Sequence, residues 1–128
     1  MEYTRIRSKE QLVKMLETQD SANVEIAGTC TEFYHGGSAP HFCGKIKYDS
    51  DEFKVKVRQY SDNTMPLEAA VLRLAARRDS NLFVFIRGQV RKGNVFGADV
   101  IDISGIKVKF AGDYEITTGD YEKATHPF

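Results

Sequence analysis

The clearest pattern in the chain is strict alternation over residues 53–60. Phe53, Val55 and Val57 fall on one side, and Lys54, Lys56, Arg58 and Tyr60 on the other. A period of two is that of a strand with one greasy and one wet face. Residues 42–48 repeat it, with Phe42, Gly44, Ile46 and Tyr48 against Cys43, Lys45 and Lys47. The acidic run Asp49-Ser50-Asp51-Glu52 between them reads as a turn. An earlier β-rich run spans 24–31, with Val24, Ile26, Gly28 and Cys30 on one face; Gly28 suggests a bulge or sharp coil. A fourth strand covers 82–91, with Leu82, Val84, Ile86, Gly88 and Val90 on the core side. Gly93-Asn94 then predicts a tight hairpin into a last strand, 95–110, broken near Gly105.

Two segments carry helical spacing instead. Residues 9–18 have Leu12, Met15 and Leu16 on one side, with Ser8 as N-cap and Gln11 in capping-box position. Residues 66–78 open on Pro66, place Leu67, Ala70, Val71, Leu74 and Ala75 on one stripe, and close on Arg77 and Arg78. The order is helix, three strands, helix, two strands. This predicts a mainly β chain: a five-stranded OB-type barrel with an N-terminal helix and a helix between strands 3 and 4. An α+β sheet is the competing layout. The expected division is an N-terminal helical segment 1–22, the barrel 23–111 and a tail 112–128 too poor in apolar residues to pack.

Composition narrows the ligand class. The 128 residues hold 18 Lys+Arg against 18 Asp+Glu, so the net charge is zero. That argues against a polybasic protein that binds phosphates all over its surface, but not against a basic patch. No run approaches the ~18 apolar residues of a membrane span, and no apolar signal core follows Met1, so the expected location is cytoplasmic and the two cysteines are expected to be reduced.

Residues 24–110 resemble the OB-fold nucleic-acid-binding domains, in particular those of anticodon-binding and exonuclease-associated modules. The resemblance rests on Val24-Glu25-Ile26-Ala27-Gly28, Ser38-Ala39-Pro40-His41-Phe42, Ile46-Lys47-Tyr48-Asp49 and Val84-Phe85-Ile86-Arg87-Gly88-Gln89-Val90. It implies a ligand site on the outer face of strands 2 and 3, flanked by the loops joining strands 1–2 and 4–5. That face carries Lys45, Lys47, Lys54, Lys56, Arg58 and Tyr60, with no acid inside the strands. Cations so spaced neutralise phosphates, and rings stack bases. Tyr34, Phe33 and Phe42 flank the loop 35–41; Phe83, Phe85 and Arg87 lie on the outer face of strand 4; Arg91 and Lys92 border the 4–5 turn. The expected function is non-enzymatic binding of single-stranded DNA or RNA with weak sequence preference. Outward lysines also solubilise sheet edges, and the rival reading is a protein- or peptide-binding module of the same fold.

Three smaller signals remain. The ending Pro127-Phe128 after Asp113, Glu115, Asp120 and Glu122 resembles the partner-docking tails of bacterial and phage single-strand-binding proteins, from which Lys123 and His126 depart. Cys30, His35, His41 and Cys43 are all zinc-ligand types, but alternation points Cys30 inward and Cys43 outward. No catalytic motif is present: there is no P-loop, G-x-S-x-G or H-E-x-x-H.

Overall fold

The computed structural model describes residues 2–36, 41–58, 65–80, 82–110 and 112–122. The elements in chain order are β1 (Thr4–Arg5), α1 (Lys9–Thr18), β2 (Ser21–Gly36), β3 (His41–Tyr48), β4 (Asp51–Arg58), α2 (Leu67–Ala75), β5 (Phe83–Arg91), β6 (Ile101–Lys109) and β7 (Glu115–Gly119). Helix α1 starts where Ser8, in extended backbone, accepts from the Gln11 N–H at 3.2 Å. Gln11 answers by accepting from the Arg7 N–H at 2.8 Å, so one donor that the first turn leaves without a helical partner and one just ahead of the cap are both satisfied.

Five strands close on themselves. β2 pairs with β3, β3 with β4, β6 with β5 and β5 with β2, all antiparallel. The parallel contact of β4 with β6, at Val55–Ile101 and Lys56–Asp102, completes the ring. The closure is possible because β2 is 16 residues long and serves two partners. Its first half pairs with β5 and its second with β3, and Thr29 belongs to both registers. At this crossing the strands run so close that a Cβ on Gly28 would lie 2.2 Å from the Lys47 carbonyl oxygen. The coil expected at Gly28 is therefore a close approach of backbones; the β-bulge falls two residues later, between Cys30 and Glu32.

The greasy faces point into the ring. Ile26, Ile46, Phe53, Val84, Ile86 and Ile106 are buried there. Leu72 of α2 and Leu12 of α1, both fully buried, join the same core.

Several boundaries differ from the sequence expectation. The apolar stripe of α2 is rotated: Leu67 is 58% exposed, whereas Ala69 and Leu72 are fully buried. The helix is apolar nearly all round, so its period does not select a face and the sheet beneath it does. The Gly93-Asn94 hairpin is absent. Residues 92–100 instead form successive turns, held by Asn94 N–H to Arg91 C=O (3.2 Å), Gly97 N–H to Asn94 C=O (3.0 Å) and Val100 N–H to Gly97 C=O (3.2 Å). The β5–β6 ladder begins at Gln89–Asp102, so the residues between them are too many for a two-residue hairpin, and Lys56 of β4 holds Phe96 of this loop instead. The start of the tail expected not to pack is β7, paired with β6, and Tyr121 behind it is buried. Its apolar side chains are few, but its backbone completes the β6 ladder. Lys123 to Phe128, including the Pro127-Phe128 ending, lie outside the described residues.

Candidate nucleic-acid interface

The outer face of β3 and β4 is built by register. Cys43 lies opposite Lys56, Lys45 opposite Lys54, and Lys47 opposite Glu52. Tyr34 and Glu32 of β2 flank it beside Cys43 and Lys45. Two lysines directly opposite each other repel. Here Glu32, 3.1 Å from Lys45 Nζ, and Glu52, at 3.9 Å, offset that repulsion. The hydrogen bond to Glu32 first, and then the charges of Glu32 and Glu52, hold the Lys45 ammonium above its ordinary pKa. The face is thus not free of acids. Glu32 enters from the neighbouring strand, and Glu52, expected in the turn, is part of β4.

The expected cations separate into groups. Lys47 and Lys54 are exposed. Lys56 is only 5% exposed; its Nζ lies 2.8 Å from Asp102 and 4.0 Å from the centre of the Phe96 ring. It binds the 92–100 loop to the sheet and is not a surface cation. Arg87 sits across β2 from the lysine face. It pairs with Glu25 at 3.0 Å and lies between the rings of Tyr3 and Tyr121, at 5.0 and 4.4 Å. Arg91 reaches Asp102 at 3.8 Å and so borders the Lys56 end of the face. Lys92 turns away toward Asp20, at 4.0 Å. The side chain of Arg58 and all of Tyr60 lie outside the described residues.

The rings divide likewise. Tyr34 is 46% exposed on the outer face. Its phenol is raised in pKa first by the Cys43 thiol beside it and then by burial. Phe42 is not on that face: it is 7% exposed, packed inside against Phe33 and His35 with ring centres 5.8 and 4.8 Å apart. Its place is taken by a residue that sequence reasoning missed. Phe96, 42% exposed, projects from the 92–100 loop onto His41, ring centres 4.5 Å apart. The available signal was a phenylalanine next to Gly97 in a segment too glycine-rich for a continuous strand.

The four zinc-type side chains do not converge. Cys30 is buried inside and donates to the Glu32 carbonyl at 3.4 Å. Cys43 is on the outer face, while His35 and His41 stack on different rings. Among the described residues no group of three or more His, Cys, Asp or Glu is placed to hold a metal ion. Beyond the lysines, beside the two-pair contact of β4 with β6, lies an open cleft of about 450 Å³ whose lining includes Lys56, Gln89, Arg91 and Asp102.

The backbone is similar to a chain in the crystal structure of yeast Stn1 and Ten1, with a TM-score of 0.55 and 13% identity. The fold is OB-like. The match covers 85% of this chain but 64% of that one, just under two thirds of its length. At 13% identity the likeness is one of OB-like fold alone and does not single out the anticodon-binding type. No protein-family model and no curated protein matches the chain. Among the described residues no helix is long and apolar enough to cross a membrane.

Proposed function

We propose that this chain binds single-stranded nucleic acid, DNA or RNA, without catalysing a reaction on it. The site is the outer face of β3 and β4 together with the 92–100 loop. The observation that carries the reading is the juxtaposition of Lys45, Lys47 and Lys54 with two exposed rings, Tyr34 and Phe96, in a chain of zero net charge. Such a surface neutralises phosphates and stacks bases, the two sources of single-strand affinity. Stacking and charge are indifferent to base identity, so sequence preference is weak. The OB-like fold supports the reading, because small barrels of this kind offer that face to extended ligands.

A second reading, docking of a protein partner, is favoured by one feature: Val95 is 91% exposed beside Phe96. The similar chain also comes from a crystal structure of two proteins. Titration of a fluorescent oligonucleotide at two salt concentrations separates the readings. A nucleic-acid site gives affinity that falls steeply with salt. No binding at either concentration removes the first reading and leaves the second.

A further inference from the structure

We infer that the single-strand track does not end at β3 but continues over Thr29 onto Phe83 of β5 and Lys109 of β6, where Phe83 stacks a base. This rests on the nucleic-acid reading of the β3–β4 face and extends it around the ring. Thr29 is in register with both Lys47 and Phe83. Lys47, Thr29 and Phe83 therefore stand side by side on three adjacent strands. Val84 pairs with Val108, both fully buried, so the next residues outward, Phe83 and Lys109, are level and face solvent. The resulting row, from Lys47 to Lys109, crosses three strand spacings, or about 14 Å.

The chemistry of the row matches the same ligand. Phe83 is 44% exposed, so its ring is open to a ligand. It is held rather than loose: its ring meets Phe85 edge-on, centres 5.4 Å apart. Phe85 in turn lies under Lys107 and Arg5, at 5.6 and 5.9 Å. The platform thus has a fixed orientation, and fixed rings lose little entropy on stacking. Cations stand on both sides, Lys47 before it and Lys109 after it. Lys109 is 65% exposed and lies 3.7 Å from Glu115, a surface pair worth little that a phosphate can replace. Thr29 between them is exposed and small, so among the described residues of the row no large side chain separates its two halves.

The test uses the absence of tryptophan from the sequence. Phe83→Trp in the full chain makes a single reporter at the proposed platform. It is titrated with oligothymidylates of about 4 and about 12 nucleotides, the lower and upper parts of the range one OB fold covers. The longer strand should quench the reporter, and the shorter should bind the lysine face with little quenching. In parallel, Phe83→Ala should weaken the longer strand roughly fivefold or more and leave the shorter within about twofold, as loss of one stacked base requires. If the longer strand binds without quenching, and Phe83→Ala binds it as the parent does, the extension is wrong while the β3–β4 site stands. Equal quenching by both lengths also overturns it, because Phe83 would then belong to the primary contact. If neither strand binds the parent chain, the functional reading itself fails, and the track with it.

Discussion

Lys54 and Lys56 are two positions apart on one strand and face the same way, yet they do different jobs. Lys54 is exposed; Lys56 is 5% exposed and held by Asp102 and Phe96. Replacing Lys47 or Lys54 by Ala should weaken oligonucleotide binding and lower the salt slope by about 0.7 for each phosphate that is no longer neutralised. Lys56→Ala should act on stability instead, by leaving Asp102 without its close partner, an effect of about 1–3 kcal/mol. Anisotropy against KCl and urea unfolding of the three variants check the split; a Lys54→Ala chain with an unchanged salt slope would remove that lysine from the site. Cys30 makes stability sensitive to alkaline pH. Burial raises its thiol from its ordinary 9.0 to about 11. Between those values the unfolded chain has lost a proton that the folded chain keeps, so stability is intact below about pH 9 and falls as pH rises through the window. Tyr121, raised chiefly by burial, pushes the same way at higher pH. The stability gap between the parent and Cys30→Ala should therefore narrow from about pH 8 to about pH 10.5 in urea melts; a constant gap would show that the thiol does not titrate differently in the two states.

Elements are set partly by their own pattern and partly by what they meet. The alternation of residues 42–48 and 53–60 specified β3 and β4 closely, because in a strand the period alone assigns the faces. The short turn between them was legible too: Asp49 takes φ 56°, a left-handed conformation that Asp tolerates. Helix α2 was recognisable as a helix but not by its buried side, and the 92–100 loop resembles a hairpin in sequence because Gly93-Asn94 is a turn signal in either setting. β2 depends most on its partners. Gly28→Ala should destabilise the chain by about 1–3 kcal/mol, since the added methyl meets the Lys47 carbonyl and the crossing must open. Chemical denaturation measures this directly. A change below ~0.5 kcal/mol would mean that β2 and β3 separate there at little cost.

Across the molecule, the first and last described segments are joined by one charged cluster. Glu25 of β2, 9% exposed at its side chain, pairs with Arg5 of β1 at 2.5 Å and with Arg87 of β5 at 3.0 Å. Tyr3 donates to Asp120, and Tyr121 covers Arg87. Removing one partner from such a cluster leaves the others desolvated and uncompensated. Glu25→Ala should therefore lose about 3 kcal/mol, with Glu25→Gln losing less because the amide oxygen still accepts a hydrogen bond. Urea titrations of both variants give the answer, and a loss under ~1 kcal/mol for Glu25→Ala would mark the cluster as a solvated surface pairing.

Local periodicity sufficed for the existence of β3, β4 and β5, which side of each is greasy, and where their lysines face outward, because those are properties of one segment of backbone; it missed β1 and β7 and drew a strand through the 92–100 turns. Which lysines remain available was settled by assembly. Asp102, Glu32 and Phe96 come from other strands or a distant loop; strand pairing brings Glu32 to Lys45, and ring closure brings Asp102 to Lys56, with Phe96 packing on His41 beside them. The pairing of Thr29 with two strands at once is likewise invisible in any window of sequence. A side chain's charge is written in the chain; its partners are set by which elements pack together, and partners decide whether that charge is free to meet a ligand.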